Sequence, residues 1–160
     1  MPEHPTTTQE PEAGEALRLW FTMFNEIGII AQLSRTMLEN RLPDGLIGPH
    51  FTVLNHLTRL GDGRTPLAMA RAFQTPKTSM THTLATLEAR GLIALRPNPE
   101  DGRSKLVYLT ETGRKVHQQA ILDLGPDVAQ LSQVCPTQTV AQVVPLLQEV
   151  RKVLDENRPD

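Results

Sequence analysis

The segment from Arg64 to Lys115 constrains this chain more than any other, because two helix starts, a helix stop and a hairpin follow one another in it. Thr65-Pro66 and Thr75-Pro76 each place a hydroxyl at an N-cap and a proline at the first helical position, where its missing N–H costs nothing. Each cap is worth about 1 kcal/mol. From Pro66, the apolar residues Leu67, Met69, Ala70 and Phe73 predict a short helix. From Pro76, Met80, Thr83, Leu84, Leu87 and Ala89 follow the i, i+3, i+4, i+7 rule. Gly91 ends that helix in the left-handed position, with Leu92 as the apolar partner of a Schellman cap. Only Gln74 and Thr75 separate the two helices, which makes a tight turn.

A hairpin follows. Ile93–Arg96 and Arg103–Leu109 have strand composition. Between them Pro97–Gly102 reads as a loop, with Asp101-Gly102 as the turn signal and both prolines outside the ladder. Thr110 caps the next helix. The expected fold is therefore mainly α (α+β), a winged helix-turn-helix with a two-stranded wing, flanked by N- and C-terminal dimerisation helices.

The second helix of the motif carries Thr75, Lys77, Thr78, Ser79, Thr81 and His82 in and before its first turns. A recognition helix enters the major groove by its N-terminal residues, so these are the DNA-binding candidates there. A solvated helix face has the same composition. On the hairpin, Asp101, Arg103, Ser104 and Lys105 are the wing candidates, suited to a minor groove or a phosphate backbone. Charge separates the readings better. The whole chain is at −2, yet residues 64–115 hold nine basic and four acidic groups, net +5, leaving −7 for the rest. A basic module in an acidic body is the footprint of a focused double-stranded DNA surface, with affinity that falls steeply with salt.

The flanks are helical. Residues 1–11 are polar and proline-rich and are expected to form a disordered tail. Residues 12–45 read as a long dimerisation helix and linker, 46–110 as the winged helix-turn-helix, and 111–157 as C-terminal dimerisation helices. The first helix has one stripe of Leu17, Trp20, Phe21, Phe24, Ile27 and Ala31 and another of Leu19, Met23, Ile30, Leu33 and Met37. Two apolar sides predict burial on two sides, by its own domain and by a partner subunit. Pro49 starts a helix with core residues Phe51, Val53, Leu54, Leu57 and Leu60. In the C-terminal third, Gly125-Pro126 predicts a kink and Pro145 an interruption.

The run LEARGLIALRPNPEDGRSKLVYLTETGRK resembles the heart of the multiple-antibiotic-resistance regulator (MarR) family, through an Asp-x-Arg wing, a strand, then Leu-Thr-x-x-Gly. The resemblance implies a homodimeric winged-helix transcriptional regulator on a pseudo-palindromic operator, often a repressor released by a small molecule. It implies that Arg103 enters the minor groove, that Asp101 orients it, and that Lys77–His82 are the exposed start of the recognition helix. It also implies a small aromatic or amphipathic effector. Trp20 and Phe24, with His50 and His56 as polar groups, are candidates to line its pocket, although Trp20 also suits core or dimer packing.

Other chemistries find little support. The five histidines lack metal-ligand spacing, so neither a metal nor another cofactor is expected, and no nucleophile–base set or phosphate-binding glycine loop suggests an enzyme. No apolar run is long enough to span a membrane and no leader is evident, so a cytoplasmic protein is expected. Cys135 leaves a redox-responsive regulator as an alternative, though the sensing cysteines of the resembled family lie near the N-terminal helix. A winged helix used only for protein contact is the other.

Overall fold

Each predicted helix needs a cap, and two of the three threonine caps form as expected. In the computed structural model, which describes residues 12–158, Thr65 Oγ1 accepts the Ala68 N–H at 3.1 Å and Thr110 Oγ1 accepts the Gly113 N–H at 3.0 Å. The tail expected at residues 1–11 lies outside the described residues. The elements are α1 (Ala13–Glu39), α2 (Gly48–Leu60), α3 (Pro66–Ala72), α4 (Lys77–Ala89), β1 (Ile93–Asn98), β2 (Asp101–Leu109), α5 (Glu111–Asp123), α6 (Gly125–Val134) and α7 (Thr137–Glu156). This is the expected class, helical with one antiparallel two-stranded sheet.

The core belongs to the middle of the chain. Val53, Leu54 and Leu57 of α2 pack with Met69 of α3, Leu84 and Leu87 of α4, and Ile93 and Val107 of the hairpin. Gly91, at φ 68°, stops α4, with Leu92 N–H returning to Leu87 O at 2.9 Å. The strands pair Ile93 with Leu109 and Leu95 with Val107, which sends these four inward. Arg64 extends the sheet by one bridge, its carbonyl accepting the Val107 N–H at 2.9 Å.

Several expectations are corrected. Thr75 does not cap α4: Pro76 stays extended at ψ 141°, so the helix begins at Lys77 with no side-chain cap. Pro97 lies in β1 opposite Lys105, not in the loop, and the ladder irregularity falls between Pro97 and Asn98, where proline supplies no donor. The tip is therefore Pro99-Glu100, with Asp101-Gly102 already in β2. Pro126 separates two helices rather than kinking one, since the missing N–H leaves the turn before it open. Pro145, by contrast, sits inside an uninterrupted α7, on an exposed helix whose freed carbonyl water can reach.

The largest departure concerns α1. Neither of its stripes is buried in the single chain: α1, α6 and α7 contain no buried residue, and Leu17, Phe21 and Val134 are 71%, 70% and 83% exposed.

Candidate nucleic-acid interface

The face of α4 that meets the core consists of Met80, Leu84 and Leu87, all buried. With those positions fixed, the helical period turns Lys77, Thr78, Ser79, Thr81 and His82 to solvent, and each is exposed. Thr78, Thr81 and His82 fall on one stripe, continued by Ala85. The Thr81 hydroxyl donates to Lys77 O at 2.8 Å, so it offers its lone pairs and its methyl outward. Thr75 stands half-buried in the turn before the helix. That turn closes through Gln74 at φ 49°, a left-handed position that costs a non-glycine residue about 1–2 kcal/mol.

The wing is stapled by its own side chains. Asn98 Oδ1 accepts the Glu100 N–H at 3.0 Å, and Asn98 Nδ2 donates to Ser104 Oγ at 2.9 Å. Ser104 Oγ in turn donates to Asp101 O at 3.2 Å, which gives Ser104 an internal task. Asp101 Oδ1 accepts the Arg103 backbone N–H at 3.0 Å. Asp101 thus sets the backbone that carries Arg103, and among the described residues no ion pair joins their side chains. Arg103 and Lys105 alternate with Ser104, so both project to the same side of the strand and both are exposed.

Two contributions to this surface escape a reading of the sequence. Arg96 lies over the Tyr108 ring at 4.7 Å, a diagonal cross-strand pair that the correct register would have revealed. Asp62 reaches across 47 residues to accept the Leu109 N–H at 2.8 Å and also takes Arg114 Nη2 at 3.2 Å. It ties the root of the wing to α5, and the Gly-Asp-Gly string around it signals only a turn.

The four pocket candidates are not gathered in one place. The rings of Trp20 and Phe24 meet at a tilt, with centroids 5.6 Å apart, and are 45% and 46% exposed. His50 is buried, and its Nδ1 accepts the Ile47 N–H at 3.0 Å at the start of α2. His56 meets the Phe73 ring edge-on at 4.8 Å. Burial first, then Arg90 and His82, holds the His50 pKa below its ordinary value; burial, then Arg64 and Arg59, does the same for His56. Two clefts lie between α1 and the module instead. One, of ≈ 330 Å³, has Arg35, Thr52, Thr75, Ser79 and Thr83 on its walls; the other, of ≈ 420 Å³, has Ser34, Arg35, Phe51, Asn55 and Ile121. None of the four candidates lines either. Cys135 is exposed where α6 gives way to α7. Among the described residues, no group of three or more His, Cys, Asp or Glu could hold a metal, and no helix is long and apolar enough to cross a membrane.

Residues 44–104 match the model of the MarR family. The fold is similar to that of wild-type MarR from E. coli in its apo form, with 27% identity, a TM-score of 0.67, and 79% of this chain and 94% of that one covered. It is also similar to the transcriptional regulator BldR from Sulfolobus solfataricus, at 24% identity and a TM-score of 0.69 over 92% and 99% of the two chains. A cysteine-to-serine mutant of E. coli MarR complexed with operator DNA matches at 25% identity and a TM-score of 0.64, over 88% of this chain and 99% of that one.

Proposed function

We propose that this chain, whose residues 44–104 match the model of the MarR family and whose fold is similar to that of E. coli MarR, is a winged-helix transcriptional regulator that works as a homodimer on a pseudo-palindromic DNA operator and represses until a small molecule releases it. One observation carries the DNA reading. A single module sets the solvent face of α4, with Lys77, Thr78, Ser79, Thr81 and His82, beside a wing that ends in exposed Arg103 and Lys105, and the segment holding both is net +5. The hydroxyls and lysine address base edges and phosphates in the major groove; the wing cations address the flanking minor groove or backbone. Asp101 holds the Arg103 backbone in place and so orients the side chain indirectly.

The apolar faces of α1, α6 and α7 support the homodimer, since a lobe with no buried residue of its own is completed by a second copy. Two recognition helices would then lie one duplex turn apart, roughly 34–36 Å. An aromatic or amphipathic effector finds its best seat in the clefts beside Arg35, one of which reaches Thr75, Ser79 and Thr83 around the recognition helix. A ligand there acts by favouring one lobe–module geometry over another.

Selection from a randomised duplex library at two salt concentrations tests the reading. A two-fold symmetric motif, weaker at high salt, is the expected result. Salt-sensitive binding with no motif would reduce the protein to a non-specific DNA binder, and no binding at either salt would overturn the reading.

A further inference from the structure

The join between α1 and the winged-helix module rests on a polar contact. α1 contains no buried residue, and Met37, Leu38 and Glu39 of its last turn are half-buried where it reaches the module. There the N–H of Gly48, the first residue of α2, donates to Glu39 Oε1 at 2.5 Å. Glu39 is the last residue of α1, so its carboxylate bridges the loop of residues 40–47 and meets the partly positive N-terminal end of α2. A Cβ at position 48 would lie 2.9 Å from Glu39 Oε1 and 3.1 Å from Arg35 Cγ, so a glycine is what lets α1 come this close. Just beyond, Arg41 donates twice to Asp127 of α6, at 2.9 and 2.8 Å, which pins the loop from its other side.

α2 transmits whatever happens at this joint. Its Val53, Leu54 and Leu57 belong to the same core as Leu84 and Leu87 of α4, so turning α2 against α1 turns the recognition helix with it. We infer that Glu39 is a positioning residue, whose contact with the Gly48 N–H fixes the angle between the dimerisation lobe and the winged-helix module. The consequence for half-site spacing rests on the proposed homodimeric reading of DNA; the angle itself does not.

Two measurements on the full chain separate these levels. Spin labels on Cys135, in the lobe, and on an introduced Ala68→Cys, at an exposed position of α3, report the lobe–module distance by double electron–electron resonance, with labelled chains diluted into unlabelled ones. One narrow distance is expected for the parent and a broadened or shifted distribution for Glu39→Ala. Glu39→Gln keeps an acceptor oxygen and is expected to restore the narrow distance. Gly48→Ala provides a second route, since its methyl group pushes the same contact apart from the other side. A distribution unchanged in both Glu39→Ala and Gly48→Ala overturns the inference. On duplexes whose half-sites differ by one base pair in spacing, the parent's preference is expected to drop about tenfold in Glu39→Ala, the order of one charge-assisted hydrogen bond, and to recover in part in Glu39→Gln, which keeps the acceptor but not the charge. A parent that binds none of these duplexes refutes the DNA reading, while the distance result still decides the role of Glu39.

Discussion

Gly113→Ala will destabilise this chain even though alanine is the better helix former. Gly113 lies in the first turn of α5, where alanine gains up to about 1 kcal/mol over glycine. Space opposes that gain. A Cβ here would stand 2.1 Å from Leu92 O and 2.8 Å from Leu109 Cδ1. Carbon–oxygen contacts settle near 3.3 Å or beyond, so a gap of roughly 1.2 Å must open between α5 and the turn after α4. Leu92 O cannot swing aside freely, because it accepts the Thr110 N–H at 3.1 Å and shares the Thr110 hydroxyl proton, at 3.0 Å, with Gly91 O at 2.7 Å. Stranding the Thr110 N–H costs about 1–3 kcal/mol, and repacking Leu109 about 1–3 more. Set against the helix gain, a net loss of about 3 kcal/mol is expected. For a chain of this size that is a fall in Tm of roughly 6–12 °C. Thermal and urea unfolding by circular dichroism, at one fixed protein concentration, read it directly. Gly102→Ala, where a Cβ meets nothing within 4 Å, is the control and should be close to neutral. A Gly113→Ala chain as stable as its parent would refute the reasoning and leave the glycine of Leu-Thr-x-x-Gly without a steric cause.

Asp62→Ala strands the Leu109 N–H at the root of the wing, and a loss of about 1–3 kcal/mol is expected in urea unfolding; a change under about 0.5 kcal/mol would show that water replaces the carboxylate. Lys105→Ala is expected to weaken binding evenly across DNA sequences and to lower the slope of log affinity against log salt by about 1, measured by fluorescence anisotropy; an unchanged slope removes the lysine from the phosphate backbone. Burial holds the pKa values of His50 and His117 below 6.5 in the fold, so the unfolded chain takes up protons first as pH falls. Their contribution is complete above about pH 6.5 and is lost as pH drops through the lowered folded values. Urea midpoints across that window should decline, and less steeply in His117→Gln; identical slopes would exclude His117 from the effect.

What the sequence discloses here is local punctuation. In their capping bonds Thr65, Thr110 and Gly91 act on groups within four residues of themselves, so their neighbours suffice to predict the caps. Thr75 fails on the same logic because the extended Pro76 and the left-handed Gln74 delay the helix by one residue, and that geometry is imposed by the tertiary turn. The Asp-Gly pair misled for a related reason. Asn98 and Asp101 build the tip from side-chain bonds to backbone two residues on, which outweighs the glycine signal. Asp62, Glu39 and the Arg96–Tyr108 pair act across chain distances or registers that composition does not encode. The exposure of the candidate residues on α4 was legible because helical period and a buried face leave them nowhere else to point.

The division of apolar surface explains why such a regulator would concentrate its sensitivity at one joint. The module owns a core, whereas the lobe exposes Leu17, Phe21, Phe24, Ile30 and Leu33 on α1 and Val140, Val144 and Leu147 on α7. Fully covering a side chain of this kind is worth about 1.5–3 kcal/mol, so eight of them outweigh an association cost of roughly 4–15 kcal/mol only when most are covered together. On the proposed homodimeric reading, a lobe completed in this way would place two modules at its ends. Each module is rigid through its own core. Between lobe and module, α1 meets α2 through Glu39 and Gly48, and Arg35 borders both clefts. On the proposed reading, a small molecule would change the separation of the recognition helices by altering the contact of Glu39 with the Gly48 N–H rather than by deforming the module's core.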